Sequence, residues 1–321
     1  MAAWRWVVHL ALTVVGVATV AALVRHAGAR TLWAALSAAA GWFPVVVAIE
    51  GLRLGTDALG TRLLYGEAGR RVPLGALLHA HLVGYPLSLL LPAGRLAAEA
   101  LRASLLARYV GGARAAAAAA AHQAISLFGV FVVSLPVIGA ALSTWGMSAM
   151  TVGIIVQAGT AIGLGLFLQV ATRRPEVSAL ARRLSAPLGE RTGDFQRAVR
   201  TQPLFPPGAI CAALVGRSLQ VVQIGALAYA VGGEGTVRAG LLAAGVQLVG
   251  MAAGDLVPGQ FGATDGAFAL AADSLGLSVA RALAVPMLVH LAQLTWAVAG
   301  LIAPFARPSR GGPRGGPRAE P

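Results

Sequence analysis

The stretch that decides the fold reads Leu89-Leu-Leu-Pro-Ala-Gly-Arg-Leu-Ala-Ala-Glu-Ala-Leu-Arg102. An apolar run ends at a Pro-Ala-Gly break, and a segment with helical character follows it. Arg95, Glu99 and Arg102 have the spacing i, i+4, i+7, so all three charges share one face of that helix. In a soluble protein these charges would form an ordinary surface stripe. Here the neighbouring segments are apolar enough to lie in a membrane, so the charged face needs another explanation.

Composition assigns the chain to the membrane proteins. Its 321 residues are 57% hydrophobic and only 12% charged, whereas a soluble domain carries about 25% charged residues. Several apolar runs reach about 18 residues, enough to cross a bilayer as helices. We therefore expect an all-α, polytopic membrane protein.

The charged residues indicate topology and not nucleic-acid binding. The net charge is +13 and every basic residue is arginine. These arginines lie between apolar runs, where they set orientation and meet anionic headgroups. Cys211 is the single cysteine, so no intramolecular disulfide forms.

About six full spans are predicted. The first is longer than the apolar region of a signal peptide, so we expect it to be a retained span. The six segments are Val7–Val24, Leu32–Leu52, Ala115–Leu142, Met150–Ala171, Gly208–Val231 and Leu283–Phe305. We expect Gly55–Pro73 to be a polar connection.

Counting orientations predicts two re-entrant hairpins. The loop Arg173–Gln202 has seven arginines and is expected to be cytoplasmic, whereas the arginine-free turn Ser143–Ser148 is expected outside. Both ends of Leu74–Arg108 then fall inside, and both ends of Ala239–Leu277 fall outside. Neither segment can be a single crossing.

The hairpin tips are predicted near breaks in the sequence. These tip residues are Pro92, Gly94, Pro258, Gly259 and Gly262. Irregular backbone at membrane depth is tolerated where protein or a wet cavity surrounds it, so the two tips are expected to meet inside the protein.

Each half of the chain reads span, span, hairpin, span. The halves, about 1–145 and 146–305, have opposite predicted orientations, which is the pattern of an inverted repeat in one transmembrane domain. Both termini are expected in the cytoplasm, and 306–321 is expected to be a disordered basic tail.

The first candidate site is the charged face Arg95, Glu99 and Arg102. One interpretation is an anion site, in which arginines hold a phosphate and Glu99 orients them. The other is that these charges are solvated at the cytoplasmic interface. Asp255 and Asp265 flank the second tip and either pair with these arginines or bind a cation, while Asp265 also suits a helix-capping role.

Among the ionisable residues within predicted spans, Arg217 and His290 are candidate site residues. Arg217 requires a carboxylate or a lipid phosphate, and His290 either forms a hydrogen bond across helices or titrates. Glu50 and Arg53 are expected to form an interfacial ion pair. The sequence contains no catalytic or metal-binding motif, so we expect no enzyme activity, no cofactor and no metal.

The two tips resemble the signatures of a known family. Leu91-Pro-Ala-Gly-Arg-Leu-Ala-Ala-Glu-Ala-Leu-Arg102 resembles its Pro-Gly-Arg…Gly-Glu…Arg motif, and Val257-Pro-Gly-Gln-Phe-Gly-Ala-Thr-Asp265 resembles its Pro-Gly-Gly-x-Gly…Glu motif. The family is the lysylphosphatidylglycerol synthase transmembrane region, also described as flippase-like or as uncharacterised family 0104. The resemblance implies a bacterial inner-membrane protein that binds a phospholipid or polyprenyl lipid and flips it between leaflets.

Two alternatives to flipping stay open. One is an intramembrane transferase on a lipid-linked substrate, with Glu99 or Asp265 as general base, and the other is a lipid-binding scaffold that transports nothing. The expected partner is an anionic phospholipid or a lipid-linked headgroup, and not nucleic acid. A homo-oligomer and a separately encoded lipid-modifying enzyme also stay open as partners.

Overall fold

The computed structural model describes residues 2–91, 94–176 and 185–305. These residues form helices and connecting turns, with no strand among them. The α-helices are α1 Ala2–Ala27, α2 Ala29–Ala39, α3 Phe43–Leu64, α4 Leu74–Leu90, α5 Gly94–Val110, α6 Gly112–Trp145, α7 Ala149–Ala171, α8 Ala186–Arg200, α9 Pro207–Ala230, α10 Val237–Ala253, α11 Ala263–Leu270 and α12 Val279–Ile302. The predicted tail, 306–321, lies outside the described residues.

The helices confirm a polytopic all-α membrane protein. Within the described chain, five helical segments are long and apolar enough to cross a bilayer, and they overlap five of the six predicted spans. These segments are Ala29–Leu64, Gly112–Trp145, Ala149–Ala171, Pro207–Ala230 and Val279–Phe305. The remaining predicted span, Val7–Val24, falls within α1, which runs from Ala2 to Ala27.

The prediction of a polar connection at Gly55–Pro73 is wrong in its first part. α3 continues to Leu64, after which Gly66–Arg71 forms a 3-10 turn. Leu54, Ala58 and Thr61 are buried at helical spacing along this extension. Polar residues stand between these buried positions, so the segment has no continuous apolar run and was predicted to be a connection.

The first predicted hairpin is built from α4 and α5, which pack against each other. Each has 17 residues and is therefore about 25 Å long, short of the roughly 30 Å hydrocarbon core. Pro92 of the predicted tip lies outside the described residues. Gly94 begins α5 so close to the Leu87 carbonyl that a Cβ there would overlap it.

The second hairpin turns where the sequence predicted its tip. α10 ends at Ala253, a 3-10 turn covers Pro258–Gln260, and α11 begins at Ala263. Gly259 and Gly262 have φ of 64° and 81°, a region that favours glycine.

Helix contacts repeat between the two halves. α12 packs on α3 and α4, and α6 packs on the equivalent helices α9 and α10. α3 and α9, the second span of each half, pack on each other. The first spans differ, because α7 packs along α6 whereas α1 contacts α2 and α11. The opposite orientation of the halves in the membrane stays a prediction.

Candidate functional site

A buried carboxylate, Glu50, joins three helices. Its Oε2 accepts hydrogen bonds from the Arg53 guanidinium at 2.6 Å and from the Gln223 amide at 3.2 Å. Its Oε1 accepts one from the Tyr85 hydroxyl at 2.6 Å. The ion pair with Arg53 was predicted at the interface, but Glu50 is only 4% exposed because α4 and α9 cover this face of α3.

A second buried carboxylate, Glu99, lies in the first hairpin. Its Oε1 accepts a hydrogen bond from Arg102 at 2.8 Å and lies 3.0 Å from Nδ1 of His122 on α6. Glu99 and Arg102 are 8% and 7% exposed, so this part of the predicted charged face lies inside the protein. Gly84 permits the arrangement, since a Cβ there would lie 2.9 Å from Nε of Arg102.

Other polar groups surround the Glu99 pair. Nε2 of His122 is 3.9 Å from Oδ1 of Asp57 on α3. The fully buried His81 lies 3.1 Å from the Thr61 hydroxyl. Where α3 ends, burial and the Glu99 charge raise the pKa of the Tyr65 phenol.

Arg95 separates from the other two charges of the predicted face. Its guanidinium is 3.7 Å from Oδ1 of Asp255, which belongs to the second hairpin. This is one of the pairings expected for Asp255, and it brings the two hairpins together. The side chains are 36% and 59% exposed, so this contact is far more open than the Glu50 and Glu99 pairs.

Asp265 caps α11 and also faces a histidine. Its Oδ2 accepts a hydrogen bond from the Gly262 N–H at 2.8 Å and lies 3.4 Å from Nε2 of His290. That same Nε2 is 3.3 Å from the Thr264 hydroxyl, so His290 contacts another helix as predicted. Oδ1 of Asp265 and Nδ1 of His290 are buried and have no hydrogen-bond partner in the described structure.

Arg217 has neutral partners. It donates to the Ser126 hydroxyl at 2.6 Å and to Oε1 of Gln220 at 3.0 Å. Among the described residues it forms no ion pair with a carboxylate. The carboxylate, one of the two partners that the sequence analysis expected, is therefore not the partner of Arg217 among the described residues.

A small pocket between α6, α9 and α10 includes Arg217. Gln247 also lines it, and its buried Oε1 has no partner in the part of the chain described. The apolar lining is Val130, Val133, Val221, Ile224, Ala244 and Leu248. Arg95 and Arg53, and also the carboxylates of Asp57 and Glu50, lie within electrostatic range of Arg217, so charges of both signs influence this region.

Sequence reasoning missed several members of these networks, among them His122, Tyr85 and Gln223. His122 did have a signal, because an ionisable residue inside an apolar span is costly. Tyr85 and Gln223 had none, since an aromatic and an amide are ordinary within an apolar run. Their roles depend on how α4 and α9 pack around Glu50.

The fold and these buried charges define a multi-pass helical membrane protein with two broken hairpins. The family model described as the lysylphosphatidylglycerol synthase TM region matches residues 6–301, nearly the whole chain. The chain therefore belongs to this family, as its two tip motifs predicted. A search of curated proteins and a search of solved structures each gave no significant match.

Proposed function

We propose that this protein binds an anionic membrane lipid at Arg217 and moves it between the leaflets of the bacterial inner membrane. The observation that carries the proposal is a guanidinium whose hydrogen-bond partners in the described chain, Ser126 and Gln220, are neutral, in a pocket lined mainly by apolar side chains. A charge inside a membrane protein is costly unless an opposite charge compensates it. A lipid phosphate would supply that charge.

The geometry of Arg217 suits a phosphate. A guanidinium has five N–H donors, and Arg217 makes two hydrogen bonds to the residues that the structure describes. The remaining donors are available for the forked contact that arginine makes with phosphate oxygens.

Arg95 is the second residue that we assign to the lipid path. Its pair with Asp255 is long and exposed, so a phosphate can replace the carboxylate at little cost. Arg53 is a weaker candidate, because Glu50 already occupies it at 2.6 Å. A headgroup moving along the hairpins would therefore pass from Arg95 to Arg217.

Movement between leaflets would come from one half rocking against the other. The repeated helix contacts support this, since α3 and α9 meet at the centre while α4 and α10 each pack on the final span of the other half. The family description names lysylphosphatidylglycerol synthase, which favours phosphatidylglycerol-type lipids. The arginine-rich loop Arg173–Gln202 supports cytoplasmic termini.

The test uses the purified full chain in vesicles of phosphatidylethanolamine and phosphatidylglycerol. A fluorescent, headgroup-labelled phosphatidylglycerol reports transport when a membrane-impermeant reductant is added outside. We expect Arg217→Gln to slow transport strongly and Arg217→Lys to retain part of it, since lysine keeps the charge without the fork. A hydrogen bond to a charged group contributes about 1.5–3 kcal/mol, which corresponds to a roughly 10- to 150-fold loss of affinity.

The matched control is Arg238→Gln, an exposed arginine at the start of α10. It should transport lipid at the wild-type rate. If folded Arg217→Gln protein also moves lipid at that rate, the assignment of Arg217 fails. Lipid that binds without moving would instead favour a scaffold, and a change in lipid mass would favour a transferase.

A further inference from the structure

Each half of the protein carries one acid–histidine pair in an equivalent place. The carboxylate lies near the start of the helix that follows the hairpin tip, as Glu99 on α5 and Asp265 on α11. The histidine lies on the next span, as His122 on α6 and His290 on α12. The separations are 3.0 Å between Oε1 and Nδ1 and 3.4 Å between Oδ2 and Nε2.

Both pairs are enclosed by protein. Asp265 is fully buried, and Glu99, His122 and His290 are each less than 9% exposed. Capping alone does not explain the second pair, because capping uses only Oδ2 of Asp265. Its Oδ1 and the Nδ1 of His290 are buried without a partner in the described chain, and a buried polar atom left unpaired is destabilising.

A carboxylate and an imidazole in contact can hold one shared proton. The proton lies either on the imidazole, which gives an ion pair, or on the carboxyl, which gives a neutral pair. Histidine is the side chain whose charge changes most readily near neutral pH. Buried carboxyl and imidazole groups within membrane proteins are typical members of proton relays.

From this repeated geometry we infer that the two pairs carry protons, one in each half, and that lipid movement is coupled to proton movement. The inference rests on the proposed transport function and adds its energy source. Each pair takes a proton from water on one side of the membrane and releases that same proton to the opposite side as the halves rock, so that both pairs return to their starting state. Only bonds to the proton change, and the proton gradient drives the cycle.

The surroundings of the two pairs differ. Charged or titratable groups face the Glu99–His122 pair from α5, from within α3, from α4 and from the residue that follows α3, in that order. They are Arg102, Asp57, His81 and Tyr65. Asp265 and His290 form no other ion pair in the described chain, and their remaining polar neighbours are the Thr264 hydroxyl and the Gly262 N–H.

The variants Glu99→Gln and Asp265→Asn test the inference with little change in shape. Each amide keeps an oxygen that accepts the existing hydrogen bond, from Arg102 or from the Gly262 N–H, but neither amide titrates. The control is Asp273→Asn, an exposed carboxylate beyond α11. All proteins are reconstituted as full chains in phosphatidylethanolamine–phosphatidylglycerol vesicles with a pH-sensitive dye inside.

We expect an imposed pH gradient to drive proton flux and to accelerate labelled phosphatidylglycerol in the wild type. A protonophore should abolish that acceleration. Glu99→Gln and Asp265→Asn should lose both responses, and Asp273→Asn should keep both. Infrared difference spectra between acidic and alkaline buffer should lose a carboxyl signal in each pair variant, a change that a purely structural pair would not produce.

Three results would overturn the inference, and the first two separate it from the proposed function. If the wild type moves lipid equally with and without a gradient, transport stands and proton coupling fails. If the wild type moves neither lipid nor protons, both fail. Gradient-driven proton flux in both pair variants at the wild-type rate would also exclude the pairs as the proton path.

Discussion

The hydroxyl of Tyr85 should stabilise the fold through the charge of Glu50. It is the one donor to Oε1 of that carboxylate in the described structure, at 2.6 Å, whereas Oε2 has both Arg53 and Gln223. Tyr85→Phe therefore leaves one oxygen of a buried, ionised group without a donor and changes the packing little.

The size of the effect distinguishes this bond from ordinary contacts between membrane helices. Hydrogen bonds between membrane helices average about 0.6 kcal/mol. A bond to a charged group is worth about 1.5–3 kcal/mol, and an unpaired buried acceptor costs a similar amount. We expect Tyr85→Phe to lower the free energy of unfolding by about 1.5–3 kcal/mol.

A double-mutant cycle with Glu50→Gln isolates the charge. Unfolding of the purified protein by titration of a denaturing detergent into mild-detergent micelles gives the four free energies that the cycle needs. Tyr85→Phe should cost much less in the Glu50→Gln background, because the acceptor there is neutral. An equal cost in both backgrounds, or a cost near 0.6 kcal/mol in the wild type, would refute the reasoning.

The remaining predictions concern packing and capping. Gly300→Leu should destabilise the protein by about 1–3 kcal/mol or more, because any side chain there meets the Leu82 carbonyl and the Pro86 ring on α4. The control is Gly266→Ala, whose added Cβ would contact nothing within 4 Å and which should change thermal unfolding little. Equal stability of the two variants would contradict this packing. Asp265→Ala should lower stability by about 0.5–2 kcal/mol through loss of the cap, while Asp265→Asn should retain most of the wild-type stability. An Asn variant as unstable as the Ala variant would show that charge and not capping is responsible.

The sequence predicted those features that depend on local chemistry. The second tip follows from Pro258, Gly259 and Gly262, because backbone with positive φ favours glycine, although Gln260 in the same turn also has a φ of 59°. The apolar runs also predicted the spans from local sequence, because a run that is long enough to cross the bilayer can be identified without knowing which helices it packs against. The family resemblance came from these same tip residues, and the family match confirms it.

Features that depend on packing were not predictable from the sequence. Glu50 and Arg53 resemble a surface pair until α4 and α9 cover them. Gly55–Pro73 was predicted to be a polar connection, yet Asp57 within it lies on a helix that continues to Leu64, and its carboxylate approaches His122 on another span. Such pairings join residues far apart in the chain, and one sequence alone does not indicate which distant residues meet.

The pair between Arg95 and Asp255 has a consequence for the mechanics of the molecule. Because both side chains are exposed and 3.7 Å apart, the contact contributes at most about 1 kcal/mol and weakens as ionic strength rises. The enclosed ion pairs of Glu50 and Glu99 resist separation far more strongly. The protein therefore has a rigid interior and a weak contact between its two hairpins, and added salt should weaken that contact first.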